Sequence, residues 1–142
     1  MTKEELLWGF RRERGCLFHG SWIRIPYGHK LVSPVRGEVF ASSDPAIAIL
    51  KAVFRNNARN LGYPMFIEED RNNLKLEILG PKSDTIVGHG YVYVIDDASG
   101  FVRDPNSNWQ YSRRVASQEG VSFSRRIAVT IADFPYLVEV RP

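Results

Sequence analysis

From residue 63 onward the chain is a series of short β-rich runs, each cut off by a turn signal, and this punctuation constrains the fold more than any other feature. Tyr63–Ile67, Leu74–Leu79, Tyr91–Ile95, Val121–Phe123, Ile127–Ile131 and Tyr136–Val140 are rich in β-branched or aromatic residues and read as strands. Gly80-Pro81, Asp96-Asp97 to Gly100, Asp104-Pro105-Asn106, Gly120 and Asp133-Phe134-Pro135 separate them. The first part of the chain differs. Thr2 as N-cap, Glu5 at the capping-box spacing, Leu6, Leu7 and Phe10 on one face and Gly15 as a stop predict a helix. Arg11, Arg12 and Arg14 fall in its last turn, where cations suit the helix dipole. Cys16–His19 and Glu38–Ala41 read as strands, joined by a long loop over 20–37 that holds Gly20, Pro26, Gly28, Pro34 and Gly37. Ser43-Asp44-Pro45 announces a second helix, with Ile47, Leu50, Val53 or Phe54 and Ala58 at helical spacing and Gly62 at its end. Helix, strand, loop, strand, helix and then many strands predict an α+β fold with a mostly antiparallel sheet.

Composition narrows the class. With 142 residues, 44% of them hydrophobic and 25% charged, the chain reads as one globular domain over 1–142 and not as a disordered, collagen-like or coiled-coil sequence. A formal net charge of +3 permits an anionic ligand without demanding nucleic acid. The single cysteine, Cys16, excludes an intramolecular disulfide and a zinc site built on several thiolates. No apolar run approaches the roughly 20 residues that span a bilayer. MTKEELLWGF lacks a signal-peptide core, so a cytoplasmic protein with no membrane partner is expected. No metal site is expected: His29 and His89 stand beside glycines in loops, without ligand spacing. There is no Gly-x-x-x-x-Gly-Lys loop and no Gly-x-Ser-x-Gly elbow to support a kinase or hydrolase reading.

Two phrases carry chemistry. In Leu17-Phe18-His19-Gly20-Ser21 a strand ends in His followed by Gly. In Val39-Phe40-Ala41-Ser42-Ser43-Asp44-Pro45 a second strand runs into a capped helix. A strand-end His can hold a ribose hydroxyl, and Gly lets a planar amide approach the backbone. Phe40 can stack on a ring, and the helix start brings backbone N–H donors to the same end. Each residue also has a plainer use: His19 as a hydrogen-bonded strand-end residue, Phe40 as core, Ser42 and Ser43 as helix caps, Asn108 as a turn residue.

In order and spacing these phrases resemble the ADP-ribosyltransferase superfamily, and most of all its RNA 2′-phosphotransferase and poly(ADP-ribose) polymerase branches. The Gly90-Tyr91-Val92-Tyr93-Val94-Ile95-Asp96 strand and the Asn108-Trp109-Gln110-Tyr111-Ser112 segment extend the likeness across roughly residues 17–133. The resemblance implies split antiparallel sheets with a few helices and a pocket for NAD as substrate. It implies that His19 holds the adenosine-side ribose, the backbone of Gly20 the carboxamide, and Phe40 or Val39 the ring-stacking position. Ser21 belongs to the same His-Gly-Ser element, Ser42 stands at the second strand end, and Arg24 and Arg36 lie in the loop that would cover the pocket, where a guanidinium suits phosphate.

The resemblance places a Glu before an aromatic residue on a late strand. Here Asn108 and Gln110 flank Trp109 instead, and an amide neither acts as a general base nor offers a full charge. Glu119 is the nearest carboxylate, at poorer spacing. The acceptor of the ADP-ribose (protein, nucleic acid, small molecule or water) is left open. Two further readings also stay open: a catalytically inactive interaction domain of the same fold, and a small nucleic-acid-binding module.

Overall fold

The computed structural model describes residues 1–32, 37–53, 63–67, 75–79, 88–115, 119–135 and 137–141. It is an α+β structure. Helices α1 (Lys3–Arg14) and α2 (Pro45–Val53) accompany nine strands: β1 (Leu17–Ser21), β2 (Glu38–Ser42), β3 (Tyr63–Ile67), β4 (Lys75–Leu79), β5 (His89–Ile95), β6 (Val102–Arg103), β7 (Gln110–Arg114), β8 (Arg125–Thr130) and β9 (Leu137–Arg141). Six of them form one sheet in the order β6-β7-β2-β1-β5-β8, antiparallel throughout. The other three form a sheet in the order β3-β4-β9, in which β3 and β4 run antiparallel and β4 and β9 parallel, so the sheets are mostly antiparallel, as expected.

Local chemistry sets the helix ends. The Oγ1 of Thr2 accepts from the Glu5 N–H at 3.1 Å, and Gly15 closes α1 in the left-handed region at φ 69°. Asp44 caps α2 through its Oδ1, which accepts from the Ala46 N–H at 2.9 Å. The α2 helix is described to Val53, and its expected continuation to Gly62 lies outside the described residues, as do Arg36 and Leu74.

The six-stranded sheet is covered on both faces. Phe18, Val92, Val94 and Val129 pack with Leu7 of α1 and with Ala46, Ala48, Ile49 and Ala52 of α2. Leu17, Val39, Tyr93 and Ile95 on the opposite face pack with Leu31 and Val121. Those last two residues come from loops that meet in a single antiparallel bridge. Val121–Phe123, expected as a strand, contributes only that bridge, because its apolar residues fill the loop-covered face instead of joining a ladder. Conversely, β7 (QYSRR) and β6 form where composition showed no strand. The backbone edge of β2 takes β7 and the far edge of β7 takes β6, and neither ladder needs apolar side chains.

The long loop after β1 is tied down. The hydroxyl of Tyr93 accepts from the Ile25 N–H at 2.7 Å and donates to the Ile23 carbonyl at 2.5 Å. Arg126 donates to the Ile25 carbonyl at 2.9 Å and lies over the Tyr27 ring at 4.8 Å. A buried tyrosine needs a partner for its hydroxyl, and the loop backbone supplies two. Among the described residues no helix is long and apolar enough to cross a membrane.

Candidate functional site

Between β1 and β2 the sheet is held by a single ladder pair, Phe18↔Ser42. Toward the β1 end the connection passes to a side chain: His19 Nδ1 stands 2.6 Å from the Phe40 carbonyl oxygen. A small pocket of about 50 Å³ opens at this junction, lined by Phe18, His19 and Gly20 of β1 and Phe40, Ala41 and Ser42 of β2. Ala48 and Lys51 of α2 and the pair Trp109-Gln110 at the start of β7 complete its wall. A more open groove of about 300 Å³ adjoins it along the loop side, where Ser21, Trp22, Ile23 and Val32 join His19, Phe40 and Lys51.

Helix α2 reaches the strands because two of them carry glycine. A Cβ on Gly20 would lie 2.0 Å from the Ala48 carbonyl oxygen, and one on Gly90 would lie 2.0 Å from that of Ala52. Both positions therefore seat the helix backbone on the sheet. Gly20 also lines the pocket, and the space left by its missing side chain is taken by the helix backbone.

His19 is half-buried. Because a carbonyl only accepts, Nδ1 is the protonated nitrogen and Nε2 carries the lone pair. Burial holds the imidazole below its ordinary range, the Phe40 carbonyl opposes that shift, and the ammonium of Lys51 adds to it. The ring is thus neutral at pH 7, with Nε2 as a hydrogen-bond acceptor. Phe40, 37% exposed, keeps an aromatic surface available along both pocket and groove.

Ser42 is buried, and its Oγ accepts from the Asp44 N–H at 2.9 Å while donating to the Asp44 carbonyl at 2.8 Å. Its hydroxyl is committed to the turn into α2, which is the plainer of the two uses expected for it. Trp109 is fixed by backbone bonds: its carbonyl accepts from the Ser43 N–H at 2.9 Å, and its N–H donates to Ser107 Oγ at 3.2 Å.

Five of the eight site residues expected from the sequence line this pocket: His19, Gly20, Phe40, Ser42 and Gln110. Ser21 lines only the groove. Asn108 is exposed and does not line the pocket, so Gln110 takes the place expected for the pair. Gln110 is the first residue of β7 and is held in register opposite Ser42, whereas Asn108 lies before the strand. Arg24 is exposed and near enough to Tyr93 to influence its hydroxyl, but lines neither pocket nor groove. The pinning of Ile23 and Ile25 on either side of it fixes its position away from the pocket. Glu119 is exposed and absent from the lining.

Sequence reasoning missed Lys51 and Trp109. Lys51 left a signal: it is the single polar residue in the α2 sequence PAIAILKAV. Among the described residues the pocket lining holds no carboxylate. Among the described residues no three His, Cys, Asp or Glu side chains converge as a metal site would require.

Comparison with protein-family profiles, with curated proteins and with solved structures gives no match to this chain.

Proposed function

We propose that this pocket binds NAD and that the chain is an ADP-ribosyltransferase-like domain, able to break the bond between nicotinamide and ribose and pass ADP-ribose to an acceptor. One observation carries the reading. Residues of three separate strands, chosen from sequence for an NAD site, line one pocket together: His19, Gly20, Phe40, Ser42 and Gln110. The available groups fit such a ligand. His19 Nε2 accepts from a ribose hydroxyl, Phe40 and Trp109 offer ring faces, and Gln110 offers an amide to the ribose side. Pocket and groove share His19, Gly20, Phe40 and Lys51, so one extended ligand can occupy both.

A second reading has its own support. Cleavage of the nicotinamide bond places positive charge on the ribose, and a carboxylate is the group that stabilises it. The lining supplies an amide and an ammonium instead. That charge balance favours a domain that binds an ADP-ribosyl group and leaves it intact.

Ligand-observed NMR with NAD, followed by nicotinamide release over hours, separates the readings for wild type and His19→Ala. Binding and release that both vanish in the variant support the transferase. Binding that vanishes without release at any time supports the binding domain. No binding at millimolar NAD removes both.

A further inference from the structure

We propose that Lys51 is the anion-holding residue of this pocket and that the ligand places a phosphate group beside it, next to the indole of Trp109. The inference deepens the NAD reading and rests on it for the rest of the ligand.

Helix α2 is apolar and buried at eight of its nine positions, and Lys51 is the exception. A charge on such a helix is tolerated where its head reaches water or a counter-charge. Lys51 lines both the pocket and the adjoining groove, so it stands where the two meet. Among the described residues no acidic group pairs with it. The nearest acid in the groove lining, Glu38, is engaged by Arg114 at 3.4 Å. Among the described residues its one ring contact is loose, with Nζ 6.0 Å from the centre of the Trp109 ring, at the outer edge of useful cation–π range.

Around this charge the pocket is otherwise neutral. The His19 ring carries no proton on Nε2, and Gln110 and Ser42 are uncharged. The lining therefore presents one net positive charge, aromatic faces on Phe40 and Trp109 and one hydrogen-bond acceptor on His19. An anion, a ring and a hydroxyl in one molecule describe a nucleotide. A point charge such as ammonium suits phosphate oxygens without fixing their orientation. Lys51 is exposed, so its ammonium is open to a phosphate arriving from solvent, while partial burial of the side chain pulls its ionisation below the ordinary lysine range.

The test uses the full chain and titrates ADP-ribose, inorganic pyrophosphate and uncharged adenosine into wild type, Lys51→Met, Lys51→Arg and His19→Ala by calorimetry, with circular dichroism as the fold control. Lys51→Met should weaken ADP-ribose by about tenfold or more and leave adenosine unchanged, while Lys51→Arg should stay within about threefold of wild type. ADP-ribose affinity that is unchanged in Lys51→Met but lost in His19→Ala overturns the phosphate assignment and leaves the NAD reading standing. Wild type that ignores NAD and ADP-ribose but binds pyrophosphate through Lys51 does the reverse. Equal losses for ADP-ribose and adenosine in Lys51→Met show a general packing role and overturn the assignment.

Discussion

A Cβ on Gly20 would stand 2.0 Å from the carbonyl oxygen of Ala48, so the second helix lies directly on the backbone of β1. The same hypothetical atom would be 2.8 Å from the Ala52 nitrogen. Both obstacles are backbone and cannot swing aside. Gly20→Ala should therefore cost about 3 kcal/mol, the upper range of overpacking, and Gly90→Ala should cost a similar amount. Gly9→Ala is the contrast: nothing lies within 4 Å in the middle of α1. It should gain about 0.5–1 kcal/mol from helix propensity. Urea midpoints measure all three, and a Gly20→Ala protein as stable as wild type would contradict this packing.

His19 ties stability to pH. Its imidazole is held below the ordinary value of 6.5 in the folded chain, chiefly by burial. Above that value both folded and unfolded rings are neutral and no penalty arises. As pH falls through 6.5 the unfolded chain takes up a proton that the folded ring resists, so stability drops until the folded ring protonates as well. His19→Gln should flatten the loss between about pH 6.5 and 5, a window above the range in which carboxylates titrate. Denaturation midpoints across that window should show the difference in slope, and parallel curves for the two proteins would refute it.

Tyr93 is the strut under the loop that borders the groove. Tyr93→Phe leaves the Ile23 carbonyl and the Ile25 N–H without their shared hydroxyl. The expected cost is about 1–3 kcal/mol, the usual range when partly buried polar groups lose a partner. Amide hydrogen exchange at Ile25 should accelerate selectively, while amides in the middle of β5 keep their protection. Uniform loss of protection across the sheet would show that the hydroxyl does not act through the loop.

Cys16 should be inert in the folded protein. It has no exposed surface, and its Sγ donates to Asp96 Oδ1 at 3.1 Å. Burial, then the bond and charge of Asp96, push the thiol up to about 11. A disulfide reagent at pH 8 should modify it only on the timescale of unfolding and rapidly in urea. Fast stoichiometric reaction of the native protein would show that the site opens.

Much of the candidate site was legible before any coordinates, and the reason is physical. His19, Gly20, Phe40 and Ser42 sit within two short phrases whose strand ends and turn can be read from neighbouring residues. Lys51 is not legible in this way because a lysine among apolar residues reads as an ordinary helix exit to solvent, and only the seating of α2 over Gly20 brings it to the pocket. Asn108 and Gln110 were equivalent candidates in sequence. The start of β7 separates them, and only Gln110 lines the pocket.

By itself the sequence determined the elements whose signals are local: the Thr2 cap and Gly15 stop of α1, the Asp44 cap of α2 and the β-branched and aromatic runs at Leu17 and Val92. A cap or a strand preference acts over a few residues, so it can be read from them. Tertiary structure alone decided that β6 and β7 form at all, that β4 and β9 run parallel and that the 121–123 run fills a face instead of a ladder. Those outcomes depend on which backbone edge and which apolar face remain open after the rest of the chain has packed. The pocket belongs with them, since its walls come from β1, β2, α2 and the start of β7, segments that meet only through the sheet order.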